Sequence, residues 1–241
     1  MKKNHWTAEE ITDVKDKIAV VTGGNSGLGK ETARVLAQKG AVVILAVRSI
    51  NRGQKAASDI QKEFPNSSVE VMKLDLSSLA SVKSFAKEFA GKHKHLDYLI
   101  NNAGVMVPPY SKTEDGFELQ FGTNHLAHFA LTGLLLPLLE STTNSRIVTV
   151  SSVAHLSGDL NFDDLAWEQR KYDAPKAYAD SKIANLYFTY ELARKLNKSS
   201  IKVLAAHPGW TSTNLQKNWR LFRLLNPFFA QKPEMGALPT L

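Results

Sequence analysis

Tyr178 and Lys182 stand four residues apart in Tyr-Ala-Asp-Ser-Lys, inside a stretch rich in Ala and Leu that reads as helix. Residues at i and i+4 lie one above the other on a helix face. A phenol beside an ammonium can exchange protons, because the cation favours the phenolate and lowers the phenol pKa. The spacing alone is common, and a surface pair beside the core satisfies it equally. It gains meaning if the chain also supplies a cofactor site and a second donor for a developing oxyanion.

The elements that must position the pair follow from hydrophobic patterning. Residues 17–22 (KIAVVT), 41–47 (AVVILAV), 69–74 (VEVMKL), 96–100 (LDYLI), 146–150 and 201–206 (IKVLAA) are short apolar runs of the kind buried strands show. Between them the spacing predicts helices over 30–39, 51–64, 78–91, 115–139 and 176–195, the first stopped by Gly40 and the second by Pro65. Strict alternation of strand and helix implies one α/β domain, a doubly wound parallel sheet of Rossmann type. Residues 1–16 read as a polar arm with a short helical turn near Ala8–Ile11, and 17–241 as the domain. Within it, 153–175 is a polar, irregular loop and 210–241 an apolar, aromatic region.

The first strand runs into Thr22-Gly23-Gly24-Asn25-Ser26-Gly27-Leu28-Gly29 and then a helix. Glycines at a strand–helix junction let the backbone approach a pyrophosphate, which the helix N-terminus attracts. Dinucleotide sites for NAD place an acid after the second strand, to hold the ribose hydroxyls. This chain has Ala46-Val47-Arg48-Ser49 there, with no acid and one guanidinium that can pair with a phosphate. The expected cofactor is therefore NADP(H) rather than NAD(H). Asp75, past the third strand, could reach the adenine or simply cap the next helix.

These segments resemble the short-chain dehydrogenases/reductases. The matching motifs are Thr22-Gly23-x-x-x-Gly27-x-Gly29, Asn101-Asn102-Ala103-Gly104, Asn124, Ser151-Ser152, Tyr178-x-x-x-Lys182 and His207-Pro208-Gly209 followed by Thr213. They run in the family's order from Lys17 to about Leu215, and their details look most like the retinol dehydrogenase and protochlorophyllide reductase-like branch. The resemblance implies Tyr178 as general acid/base, Lys182 as its pKa modulator and ribose ligand, Ser152 as partner of the substrate carbonyl, and Asn124 as anchor of a proton-relay water. It also implies that Thr22, Gly23, Asn25, Ser26, Gly27, Leu28, Gly29, Arg48, Asp75, Leu76, Asn101, Ala103, Gly104, Pro208, Gly209 and Thr213 line the cofactor. Hydride transfer to a carbonyl develops alkoxide charge, which needs such a donor and fixed dipoles. The loop at 155–175 would then help define the substrate pocket. The family continues to a seventh, edge strand, which this sequence would lack, leaving the sixth strand as an edge. Dimers or higher oligomers form in the family through the helices after the fourth and fifth strands.

Other classes find little support. The 241 residues carry no Cys, which excludes disulfides and thiolate metal sites, and a net charge of +7 spread along the chain rather than in a nucleic-acid-binding run. No apolar run reaches the length of a membrane span, and the N-terminus has no secretory segment, so a cytosolic protein is expected. His125 and His128 have no third ligand at metal-site spacing and read as packing residues, while His93 and His95 read as solvated. The expectation is an oxidoreductase acting on a carbonyl or alcohol carbon of an apolar, bulky small-molecule substrate. The alternatives are a non-catalytic NADP(H)-binding regulator or scaffold, and a reductase of a tetrapyrrole double bond.

Overall fold

Six short apolar runs become six parallel strands. The computed structural model describes residues 6–12, 14–211 and 230–241. The strands are β1 (Ile18–Thr22), β2 (Val42–Val47), β3 (Ser68–Lys73), β4 (Tyr98–Asn101), β5 (Arg146–Val150) and β6 (Lys202–Ala206), in the order β3-β2-β1-β4-β5-β6. The helices between them are α1 (Gly27–Gln38), α2 (Ile50–Glu63), α3 (Leu79–Lys92), α4 (Leu119–Phe121), α5 (Ala127–Glu140) and α6 (Ala174–Lys195), with α7 (Pro233–Ala237) after β6.

Because side chains alternate across a strand, each central strand feeds two cores. Val20, Ile44 and Ala46 join Phe85, Phe89 and Leu131 on one face of the sheet. Ala19, Val21, Val43 and Leu45 join Ala33, Leu36 and Ile60 on the other. Leu131, Leu135 and Leu139 form a fully buried i,i+4 stripe on α5. Each contributes about 1.5–3 kcal/mol by burial.

This strand order reverses direction at β1, between β2 and β4, and ligands of such sheets bind outside the strand C-termini at that crevice. All the motif segments leave the C-terminal edge: the glycine turn after β1, Arg48 after β2, Asp75 after β3, Asn102–Gly104 after β4, Ser151–Ser152 after β5 and His207–Gly209 after β6. Among the described residues β6 pairs only with β5, and its side chains are largely exposed.

Several boundaries differ from the sequence expectation, each for a local reason. Helix α1 starts at Gly27, so Gly27, Leu28 and Gly29 belong to its first turn. The long helix expected over 115–139 begins only at Leu119, where the Glu118 carboxylate accepts from the Gln120 and Phe121 N–H groups. It then widens into a π turn, Gly122–Leu126, in which Ala127 N–H reaches back to Gly122 O. The catalytic-motif helix α6 starts at Ala174, because Asp173 caps Lys176 N–H and Pro175 is tolerated in a first turn. His93 is not solvated: its ring lies 4.7 Å from that of Phe89. The arm has a 3-10 turn at Ala8–Glu10 and lies against the α1–β2 connection, where Lys39 Nζ donates to Glu9 O and Ile11 O.

Helix α7 packs against α1. A Cβ at Gly236 would lie 2.9 Å from Leu28 Cδ2 and 2.2 Å from Thr211 Oγ1, so only glycine allows this approach. Thr213 and most of the apolar 210–241 region lie outside the described residues.

Candidate active site

The glycine turn is a cradle a side chain would fill. Gly23 has φ +68°, a left-handed value that favours glycine, and its Cβ would sit 3.1 Å from Ala103 Cβ. A Cβ on Gly29 would meet Asn102 Nδ2 at 2.5 Å and Gly23 O at 2.6 Å. Ser26 is the N-cap of α1 and makes no side-chain capping bond, so the first N–H groups of the helix face the crevice unclaimed by it. Asn25 and Leu28 are half-buried beside it. The described residues thus fit a pyrophosphate-bearing cofactor.

Around this turn the structure sorts the sequence candidates. Arg48 is exposed at the end of β2, with no side-chain partner among the described residues, and its carbonyl accepts from Lys73 Nζ at 2.6 Å. The Asp75 carboxylate accepts from Ser77 N (3.0 Å) and Ser77 Oγ (2.7 Å), which engages one of its oxygens in capping. Leu76 joins the hydrophobic core. Asn101 turns its side chain inward to Thr132 Oγ1 at 3.0 Å, so only its backbone can line the crevice. Its neighbour Asn102, which the sequence reading passed over, ties the glycine turn with Nδ2 to Thr22 O at 2.8 Å. A Cβ on Gly104 would stand 3.0 Å from Asn124 Oδ1 and 3.9 Å from Lys182 Nζ. Pro208 O accepts from Gln231 Nε2 at 2.6 Å, and Gly209 turns the chain with φ +65°.

Tyr178, Lys182, Ser152 and Asn124 come together at the C-terminal end of β5. Lys182 Nζ donates to Val150 O at 3.0 Å and lies 5.6 Å from the Tyr178 ring centre. Ser151 Oγ donates to Lys182 O, which leaves Ser152 as the serine beside the phenol. Asn124, in the π turn, is fastened by Val105 N to Oδ1 (2.8 Å) and by Nδ2 to Val105 O and Ser181 Oγ (both 3.0 Å). Burial pushes the Tyr178 phenol up to about 12, against the pull of its hydrogen bond with Ser152. Burial also pushes the Lys182 ammonium down to about 8. The sequence expectation that Lys182 would lower the phenol pKa is therefore corrected. Desolvation prevails, because the ammonium is directed to the Val150 carbonyl rather than to the phenol oxygen. The phenol stays protonated at neutral pH.

The loop before the catalytic helix is a fastened structure. Arg170 stacks 3.6 Å from the ring centre of the buried Trp167 and faces Asp164 and Asp180 at 3.4 and 3.7 Å. Asp180, two residues past Tyr178, also accepts from Lys176 Nζ at 2.8 Å and Asp159 N at 2.9 Å. Tyr172 donates to Glu118 at 2.8 Å, and Gln120 bridges Tyr172, Ala174 O and Val107 N. Spacing gave no sign of these long-range partners.

His128 is fully buried, and desolvation holds it down at about 4. An unfolded histidine titrates near 6.5. Above that pH both states are neutral and stability is complete. As pH falls from 6.5 toward 4, the unfolded chain binds a proton that the folded ring refuses, so stability is lost. Between pH 7 and pH 5 the loss for His128 is expected to be roughly 2 kcal/mol. Urea unfolding at the two pH values, repeated on His128→Asn, measures it. An equal drop in wild type and variant would show that His128 is not its source.

A doubly wound parallel sheet with a glycine cradle and a Ser–Tyr–Lys cluster on its C-terminal edge defines a dinucleotide-dependent oxidoreductase fold. The short chain dehydrogenase family model matches residues 17–223, and the chain belongs to that family. Human retinol dehydrogenase 11 is 49% identical over 228 residues, covering 93% of this chain and 71% of that protein. A crystal structure from Mycobacterium paratuberculosis, 46% identical, superposes with a TM-score of 0.81 over 98% of this chain and 78% of that one. A short chain dehydrogenase of Shigella flexneri solved with NADP is 26% identical, with a TM-score of 0.72 over 93% and 89% of the two chains. Among the described residues, no helix is long and apolar enough to cross a membrane.

Proposed function

We propose that this short-chain oxidoreductase uses NADP(H) and reduces the carbonyl carbon of an apolar substrate, with Tyr178 as proton donor. The observation that carries the reading is the buried Tyr178 phenol with the Lys182 ammonium 5.6 Å from its ring centre and Ser152 beside it. When bound, the reduced nicotinamide supplies a hydride. Tyr178 gives its proton to the oxygen on which charge develops, and Ser152 holds that oxygen in place. Lys182, fixed through Val150 O, keeps a positive charge beside the pair and would hold the ribose hydroxyls of a bound cofactor. Asn124 holds Val105 and Ser181 around them, and would anchor a proton-relay water there.

The NADP(H) preference rests on Arg48 and on the missing acid after β2, with the NADP-bound Shigella flexneri relative in support. Asp75 is assigned to the adenine and Thr213 to the nicotinamide carboxamide. The apolar substrate rests on the retinol dehydrogenase relative and on Val153, Leu156 and Phe162, which are exposed in the chain that follows Ser152. The protein acts as an oligomer through α5 and α6, which expose Phe129, Leu134, Tyr187 and Tyr190.

The purified protein is expected to oxidise NADPH with a panel of apolar aldehydes and ketones, and NADH more slowly. Arg48→Ala is expected to lower the ratio of NADPH to NADH affinity by about tenfold or more, with little change in stability since Arg48 is exposed. An unchanged ratio would remove Arg48 from the phosphate site. Tight NADPH binding with no turnover on any carbonyl would replace an enzyme by a non-catalytic binding protein.

A further inference from the structure

We propose that His128 is a positioning residue that ties the cofactor turn to the catalytic π turn, one ring nitrogen serving each. The inference rests on the dinucleotide-site reading above. Its ring is 1% exposed, so water satisfies neither nitrogen. Nδ1 lies 3.0 Å from Asn124 O and Nε2 lies 2.9 Å from Thr22 Oγ1.

The partners fix the tautomer. A carbonyl oxygen only accepts, so Nδ1 carries the hydrogen. In a neutral ring Nε2 is then a bare acceptor, and the Thr22 hydroxyl donates to it. That hydroxyl has one hydrogen, and the competing acceptor, Ile100 O, is farther away at 3.3 Å. Thr22 Oγ1 in turn accepts from Asn102 N and Ala103 N, both at 2.9 Å. The hydroxyl is thereby saturated, with one bond given and two received.

The chain of bonds joins three segments that must agree for turnover. Thr22 precedes Gly23 and sets the start of the glycine turn. Asn102 and Ala103 precede Gly104, which packs on Asn124. Asn124 lies in the π turn, whose carbonyls depart from the ordinary helical ladder, and His128 claims one lone pair of its carbonyl. A metal role is foreign to this ring, since both nitrogens are engaged with chain atoms. A mere filler of the core would need neither bond.

Two substitutions separate the arms. In His128→Asn the amide nitrogen takes the place of Nδ1 and still reaches Asn124 O, while Thr22 loses its acceptor. In His128→Gln the amide oxygen takes the place of Nε2 and still accepts from Thr22, while Asn124 O loses its donor. Loss of one buried hydrogen bond corresponds to about a tenfold change. His128→Asn is therefore expected to weaken NADPH binding about tenfold in a fluorescence titration, with a smaller loss of kcat. His128→Gln is expected to lower kcat about tenfold at saturating cofactor, with a smaller loss of affinity.

Equal shifts of both constants in both variants, or a change in melting temperature alone, would overturn the proposal and leave His128 as packing. Should a variant not fold, imidazole nitrogen NMR of the wild type decides. A neutral ring protonated at Nδ1 is expected, and the opposite tautomer sinks the idea. A wild type that binds no dinucleotide refutes the cofactor reading itself. A wild type that binds NADPH no more tightly than His128→Asn does refutes only the Thr22 arm, and with it this coupling.

Discussion

Tyr178→Phe is expected to lower kcat by about 10²–10⁴-fold while leaving NADPH affinity nearly unchanged. The substitution deletes one oxygen and keeps the ring, so the buried packing of α6 survives. What disappears is the proton that the reacting oxygen would receive. Burial favours the protonated phenol, which suits a donor in carbonyl reduction. Ser152 and Lys182 remain, and their fixed dipole and charge account for residual activity. Steady-state kinetics with the best carbonyl substrate, beside a fluorescence titration with NADPH, separates the two quantities. A Phe variant with most of its turnover intact would show that another group supplies the proton. Equal loss of binding and turnover would show that the ring had moved.

Gly29→Ala is expected to abolish useful cofactor binding, with affinity lowered about a hundredfold or more and stability lowered by about 1–3 kcal/mol. Alanine is the better helix former by about 1 kcal/mol, so propensity alone predicts a gain at this helical position. Sterics reverse the sign. The new methyl would fall 2.6 Å from the Gly23 carbonyl oxygen and 2.5 Å from Asn102 Nδ2, and both belong to the turn that shapes the cradle. Neither is the loose end of a flexible side chain. Gly133→Ala is the matched control: it also lies within a helix, α5, where a Cβ meets nothing within 4 Å. That change should raise the melting temperature slightly and leave NADPH binding alone. If Gly29→Ala behaved like Gly133→Ala, the glycine turn would not be the cofactor cradle.

Much of this architecture was legible because its signals are local. A strand buried on both faces announces itself as a run such as Ala41–Val47, and a glycine-rich junction as a turn. Neither depends on distant partners. The π turn was not legible, since Gly122–Leu126 has an ordinary helical pattern and its extra residue is set by the packing of Asn124 on Val105 and Ser181. The choice between Asn101 and Asn102 was equally hidden. The two are adjacent and alternate in direction, so a single step of strand geometry sends one side chain to the core and the other to the glycine turn. The sign of the phenol shift could not be read from an i,i+4 pair. It depends on how completely water is excluded and on where the ammonium points. The clasp of Arg170 on Trp167, Asp164 and Asp180 joins residues whose types alone describe a solvated loop.

The contact of Gly236 with Leu28 has a consequence for how the protein is made. Leu28 lies in the first turn of α1 and leaves the ribosome well before Gly236. Synthesis runs at about 5–20 residues per second, and the N-terminal βα units can pair while it proceeds. The cradle nevertheless waits, open on the Leu28 side, for a partner translated after all six strands. Late closure of this kind is slow, because a long loop must be gathered before its contacts reward it. A nascent chain therefore carries a half-built nucleotide crevice until the segment that bears Gly236 has been made, and the dinucleotide meets the finished site only then.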